Sequence, residues 1–412
     1  MSTPLAEQFS QELNANYDST LKFLEDLVKI NSYTLNPAGV EANAQRVIQQ
    51  FEPFGFTVSQ LDCNWPGAGK HLVLDSGGEG PVIACIAHLD TVFPPEEEIV
   101  NNFHWQPDGN LIYGPGTYDM KGGTAMIWQC LSALKKVAPA EFSSVRWLLI
   151  WNAAEEVLSP DFGDVCKSLL PANTIAALVF EPDTYATEGL SLVRSRKGRA
   201  EMRITVTGRG AHAGSKFPEG ANAILQLSHA IQQAMDITDL DRDLTVNVGT
   251  VTGGSASNRI PHLATAQLEM RAFDDTVFQE AVSRLLALSG EGNIKAPADH
   301  FPCQVQVENL QEICTWPVNP QTDALLQVWT DAANSIQVKL DATRRGGLSD
   351  GNRICREFPS LDGLGPRGGN AHTSERSADG TKVPEFVDAS SFIPKALINC
   401  LALHSLCQNP PK

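Results

Sequence analysis

Apolar side chains along this chain fall into three textures. Near the start, Leu21, Leu24, Leu27 and Val28 keep a helical period behind Ser19, a candidate N-cap, and the segment 40–51 repeats that period. Short unbroken apolar runs follow, at 81–87 (PVIACIA), 145–151 (VRWLLIW) and 175–180 (IAALVF). Runs of this kind predict strands covered on both faces, as in a mostly parallel sheet. Between the first two, the segment 121–137 sets Ile127, Leu131, Leu134 and Val137 on one face and predicts a crossover helix. This alternation is that of an α/β domain.

Beyond about residue 195 the pattern changes to alternating positions. It predicts a strand (200–207), a helix (221–235), two strands (244–251 and 264–273), a helix (277–288) and a strand (304–308). That is the β-α-β-β-α-β order of a ferredoxin-like unit. Helical periods return at 323–333 and 395–406. The expected organisation is therefore a discontinuous α/β domain, residues 1–194 and 309–412, interrupted by a small α+β unit at 195–308.

Charge narrows the candidate partners. Lys and Arg number 31 against 48 Asp and Glu, a net −17, which repels phosphate backbones and acidic membrane surfaces. Neither nucleic acid nor a membrane is an expected partner. No apolar run approaches the ~18 residues a membrane span needs, and the N-terminus lacks a signal-peptide pattern. The nine cysteines are odd in number, scattered and never spaced C-x-x-C, which argues against a disulfide framework and for a reducing compartment. A cytoplasmic location is expected.

Each predicted strand of the α/β part runs into groups that bind metals. The run 81–87 leads to His88 and Asp90, 145–151 leads to Glu155 and Glu156, and 175–180 leads to Glu181. In open α/β sheets, sites form at the carboxyl ends of strands, so one sheet edge would collect all of them. Asp119, in the Gly-rich stretch 114–123, opens the crossover helix and joins the set. Read singly, each has a plainer explanation: a histidine satisfied by a turn, a helix cap, a solvated acidic pair. Jointly they favour a cation, because several carboxylates at one edge repel one another until a divalent ion neutralises them. A His/Asp/Glu set suits zinc, with cobalt or manganese as substitutes.

The stretches HLDTV (88–92), GPGTYDMKGG (114–123), EE (155–156), FEPD (180–183), GRGAHAG (208–214), GGLSDGN (346–352) and GGNAHTSE (368–375) together resemble the zinc aminoacylase/carboxypeptidase family. That family includes glutamate carboxypeptidase, acetylornithine deacetylase and succinyl-diaminopimelate desuccinylase. The resemblance runs in order from about residue 20 to the C-terminus. It implies a catalytic domain interrupted by a ferredoxin-like lid through which two subunits pair as a homodimer. It also implies two zinc ions per subunit, one held by His88, Asp119 and Glu181, the other by Asp119, Glu156 and His372, with Asp119 as the bridge. In the same comparison Asp90 stands behind His88 and fixes its tautomer, and Glu155 is the general base. His212 reaches across the dimer to the tetrahedral oxyanion, Asn258 and Arg271 hold the substrate carboxylate, and Gly347 offers a backbone contact.

The implied activity is hydrolysis of an amide bond next to a free carboxylate. The sequences at 346–352 and 361–366 lie nearer the carboxypeptidase branch, with N-acyl-amino-acid deacylation as the alternative. A catalytically silent metal-binding relative is a rival from another class, opposed by Glu155 beside its neighbouring ligand. A phosphohydrolase lacks support, since no phosphate-cradling loop or Arg cluster is evident. After the acidic pair this chain continues Val157-Leu158-Ser159-Pro160 where many relatives have Gly-Ser, so the loop beside the base is expected to differ in shape. His71, His104, His229, His262, His300 and His404 match no motif.

Overall fold

A computed structural model describes residues 4–185 and 187–409. They form two compact units. The larger comprises the described residues up to Arg194, Val318–Arg344 and those from Ser349 onward; the smaller comprises Ser195–Pro317 and Arg345–Leu348. The smaller unit is thus an insertion, and its last long strand, Pro302–Ile313, continues past residue 308.

The larger unit is built on a six-stranded sheet in the order Thr57–Asp62, Lys70–Asp75, Arg146–Asn152, Val82–His88, Thr174–Val179, Ser360–Leu361. Val82–His88 lies parallel to both of its neighbours, and the hairpin at the first edge is antiparallel, giving a mixed sheet that is parallel at its centre. All seven residues of Val82–His88 are buried, which is why the run is apolar without alternation. Its residues divide between two cores. Ile83, Cys85 and Ala87 pack under the helix Lys121–Val137, whereas Val82, Ala84 and Ile86 pack with Phe162 and Cys166 of the helix Phe162–Leu169. The chain leaving His88 therefore crosses one face of the sheet and the chain leaving Asn152 crosses the other. A crevice opens at the strand ends where connections diverge in this way.

The crossover helix is more enclosed than a single apolar stripe suggests, with twelve of its seventeen residues buried. Ser19 is not a cap: the helix Tyr17–Val28 starts two residues earlier behind Asn16. The helix Pro4–Ala15 precedes it, seating Phe9 and Leu13 in the main core. The nine cysteines form no disulfide, and no helix among the described residues is long and apolar enough to cross a membrane.

The smaller unit is an antiparallel sheet ordered Thr245–Gly253, Leu263–Ala272, Gly198–Thr207, Pro302–Ile313, Gly290–Lys295. Its first four strands keep the ferredoxin-like order, with Gly290–Lys295 added at the edge. In Gly198–Thr207 buried residues alternate with half-buried ones, because only one face carries the helices Ala223–Met235 and Asp275–Leu286.

Candidate metal centre and active site

The crevice gathers the carboxylates and imidazoles of the larger unit. His88 ends its strand, fully enclosed, and its ring is held from behind: Nδ1 lies 3.0 Å from the Asp90 carbonyl oxygen and 3.4 Å from the Asp90 carboxylate. Both are acceptors, so Nδ1 carries a proton, leaving Nε2, which faces the crevice, as the nitrogen that could offer a lone pair to a metal. There it meets Asp119 Oδ1 at 3.0 Å and Glu181 Oε1 at 3.9 Å. On the other side of Asp119, His372 Nε2 lies 3.4 Å from Asp119 Oδ2 and 3.1 Å from Glu156 Oε2. The donor atoms of His88, Asp119 and Glu181 lie within 4.8 Å of one another, as do those of Asp119, Glu156 and His372.

The electrostatics of these side chains call for positive charge. Burial pushes the Glu156 carboxyl up to about 7, and Glu156 Oε1 is buried without a hydrogen-bond partner. The carboxylates of Asp119 and Glu156 raise the His372 imidazole to about 11. Burial opposes charge on His88, yet Asp119 and Asp90 raise it well above the usual histidine range. Imidazole nitrogens set among carboxylate oxygens, an orphaned carboxylate oxygen and an acid shared by two donor groups are an arrangement that divalent cations would satisfy. The donor set fits zinc.

Two loops are held rigidly. Glu385, fully buried, accepts the N–H groups of Tyr118 and Asp119 on Oε1 (3.1 and 3.2 Å) and that of His372 on Oε2 (3.4 Å), so one carboxylate ties the loops of Asp119 and His372 together. His372 sits in the left-handed region (φ +63°), an uncommon conformation for a histidine that these contacts sustain. The Asp90 carboxylate accepts from Glu155 N at 3.1 Å, Glu156 N at 3.2 Å and the Thr34 hydroxyl at 2.7 Å. Its carbonyl thus serves the imidazole while its carboxylate serves the loop. Burial, together with the nearby acids Asp350, Glu181 and Glu156, pushes the Glu155 carboxyl well above the ordinary range, overcoming the opposing pull of His88. A carboxylate so placed has the proton affinity a general base needs. Glu385 carries no motif signal, since two of the N–H groups it holds, those of Tyr118 and Asp119, lie more than 260 positions away; Asp350, within the stretch 346–352, was not singled out as a site residue.

His212, Asn258, Arg271 and Gly347 lie in the smaller unit. The exposed His212 accepts two backbone N–H groups on Nδ1, from Gly214 and Ser215, each at 3.1 Å. Its neutral ring therefore bears the proton on Nε2 and presents a donor. Arg271 is engaged by Glu269 (Nε–Oε1 3.0 Å, Nη2–Oε2 3.1 Å) and donates from Nη1 to Gly346 O at 3.0 Å. Glu269 also binds Arg199 at 2.9 Å, and Arg199 pairs in turn with Glu201 at 2.9 Å, so the two arginines and two glutamates balance in charge. The Gly347 carbonyl accepts from Arg196 Nη1 at 3.1 Å, and that of Asn258 accepts from Ala213 N at 2.9 Å.

Residues 194–295 match the model of the peptidase dimerisation domain of the M20 family. The chain is 31% identical over 291 residues to succinyl-diaminopimelate desuccinylase 2 of Ruegeria sp., covering 67% of this chain and 70% of that one. The chain belongs to the M20 family of metallohydrolases. It is also 30% identical over 271 residues to carboxypeptidase G2 of Pseudomonas sp., a match spanning 65% of this chain and 63% of the relative's length. Among solved structures, a tripeptidase from Staphylococcus aureus superposes with a TM-score of 0.72 at 20% identity, covering 96% of this chain and 99% of that one. A metallo-carboxypeptidase from Sulfolobus solfataricus gives 0.67 at 13%, covering 93% and 98%; both establish the shared M20 fold.

A third group, Cys63, His71 and Asp161, also brings its donor atoms within 4.8 Å. Here His71 Nδ1 accepts the Ala153 N–H at 3.1 Å, so a neutral ring carries its proton on Nε2, the atom facing the cluster. Asp161 is already occupied by Asn64 N at 2.9 Å and the Ser159 hydroxyl at 2.6 Å. The tautomer is opposite to that of His88, and the cluster does not suit a cation.

Proposed function

We propose that this protein is a dinuclear zinc hydrolase that cleaves an amide bond next to a free carboxylate, acting as a glutamate-carboxypeptidase-like exopeptidase. The observation that carries the reading is Asp119 lying between two ligand groups, with the Glu155 carboxyl beside them. His88, Asp119 and Glu181 would hold one ion, and Asp119, Glu156 and His372 the other. Bound there, a metal pair supplies Lewis acidity to the scissile carbonyl and lowers the pKa of an attacking water. Glu155 takes the proton of that water on its carboxylate and delivers it to the leaving nitrogen. Asp90 and Glu385 keep the ligand loops fixed through this transfer. His212, as an Nε2–H donor, stabilises the oxyanion from the partner subunit, while Arg271, Asn258 and the Gly347 backbone receive the substrate's carboxylate.

The larger unit is assigned as the catalytic domain and the smaller as the lid through which a homodimer forms, in keeping with its peptidase dimerisation match. The desuccinylase relative favours a second reading, N-acyl-amino-acid deacylation, which breaks the same bond type with a simple acid on the acyl side. The deciding experiment is product release by zinc-loaded protein from dipeptides and N-aroyl amino acids against N-acetyl and N-succinyl amino acids. Cleavage concentrated on peptides or aroyl amides of one C-terminal amino acid supports the carboxypeptidase. Cleavage confined to short acyl groups moves the protein to the deacylases, and none with metal bound rejects both.

A further inference from the structure

We propose that His71 is a positioning residue for the loop that carries Glu155 and Glu156, its Nδ1 atom fixing the first backbone N–H of that loop. The proposal rests on the catalytic reading above. Four consecutive N–H groups leave the end of the strand Arg146–Asn152, and each is accepted by a side chain. Ala153 is held by His71 Nδ1 (3.1 Å), Ala154 by Asn152 Oδ1 (3.0 Å), Glu155 by Asp90 Oδ1 (3.1 Å) and Glu156 by Asp90 Oδ2 (3.2 Å). Such a sequence leaves the loop no freedom to rotate its peptides, and it aims both glutamates.

His71 reaches this position from the antiparallel strand Lys70–Asp75, whose Leu72 pairs with Trp151. The residue is wholly enclosed, its ring 5.2 Å from that of Phe162. A histidine can act as acceptor here only with its proton on Nε2. That atom points toward Asp161 Oδ2 at 3.6 Å and toward Cys63, and it has no hydrogen-bond partner at normal distance. The Asp161 carboxylate therefore favours the tautomer that leaves Nδ1 bare. Among the described residues, the groups facing the ring, Asp161 and Asp90 by charge and Cys63 with its sulfur within 4.8 Å, include no cation. A misplacement of about 1 Å in a catalytic loop costs up to ~100-fold in rate, so this distant hydrogen bond has catalytic weight.

Asparagine and glutamine variants separate positioning from filling. Asparagine sets its oxygen where Nδ1 stands, whereas glutamine sets its amide near Nε2. The test compares His71→Asn with His71→Gln in the full-length zinc-loaded protein, reading kcat and KM, zinc per subunit, zinc affinity by chelator competition, and the thermal midpoint. The expected result is near-normal kcat for His71→Asn, and for His71→Gln a loss of ~10- to 100-fold at unchanged KM with weakened zinc affinity. Equal kcat in the two variants overturns the proposal, as does loss of one zinc per subunit in both, which would make His71 a ligand. If His71→Gln fails to fold, normal kcat in His71→Asn supports the role and a tenfold loss rejects it. If the wild type cleaves none of the amides, the catalytic reading fails separately, and zinc affinity alone decides whether His71 holds the loop.

Discussion

Two buried histidines with acidic neighbours behave oppositely, and the difference lies in what stands behind each ring. Behind His88 is the carbonyl of Asp90, an acceptor, so Nδ1 keeps its proton and Nε2 is the nitrogen that a metal could take. Behind His71 is the N–H of Ala153, a donor, so the free nitrogen bears a proton. Side-chain type and spacing do not distinguish these cases; only backbone polarity at the second nitrogen does. At the same scale, Glu155 is proposed as the base and its neighbour Glu156 as a ligand. Glu155→Gln keeps a side chain of equal size that cannot accept a proton, and it should retain both metals while kcat falls by ~100-fold or more. Metal analysis alongside steady-state kinetics checks this, and an active Glu155→Gln variant would remove Glu155 as the base.

At the scale of elements, the site depends on how closely the crossover helix approaches the strand end that carries Glu181. A Cβ on Gly123 would stand 2.0 Å from the Phe180 carbonyl oxygen, so only glycine permits that approach. Gly123→Ala should cost about 1–3 kcal/mol through forced backbone shifts and should weaken metal binding, because Phe180 immediately precedes Glu181. Calorimetry and chelator competition test both effects, and an unchanged midpoint would refute the tight seat.

The edge hairpin is pinned differently, by Arg146 Nε and Nη2 donating to Asp75 at 2.9 and 2.5 Å. That guanidinium holds the Asp75 carboxyl below its ordinary value of 3.8. A depressed carboxylate contributes stability that is present above the unfolded value and is lost as pH falls through the folded one. Both partners are about a quarter to a third exposed, so the contribution is about 1 kcal/mol or less. The gap in urea midpoint between wild type and Asp75→Asn should be measurable at pH 7 and close below pH 3.8; a gap that persists in acid would assign the effect to packing.

For the whole molecule, the proposed oxyanion donor and the proposed base sit in different units of the chain. If His212 serves the neighbouring subunit's site, His212→Ala and Glu155→Gln should each be nearly inactive alone. Mixed and re-equilibrated, they should regain up to about a quarter of wild-type activity at equal stoichiometry, since half of the dimers are mixed and each mixed dimer holds one intact site. No recovery on mixing, with subunit exchange verified, would place the donor in its own subunit.

Most of this architecture was legible because burial writes itself into the sequence. A strand covered on both faces, such as Val82–His88, must be apolar throughout, and one covered on a single face, such as Gly198–Thr207, must alternate. The ligand candidates at strand ends, and the family resemblance, came from the same local signals. What the sequence concealed has weak local signatures. The exposed strand Thr57–Asp62 shows no apolar pattern, and the small sheet that joins Gln106–Asp108 to Phe386–Asp388 uses strands of two or three residues. Glu385 and His71 were invisible as site residues for a related reason. Each acts through backbone N–H groups that every sequence contains and that only folding brings opposite one carboxylate or one imidazole nitrogen. The sequence by itself determined which side chains could bind metal and move a proton. The tertiary structure decided which backbone groups stand behind them, and hence which nitrogen carries a proton and which loop is held still, because hydrogen bonds to the main chain depend on geometry and not on residue identity.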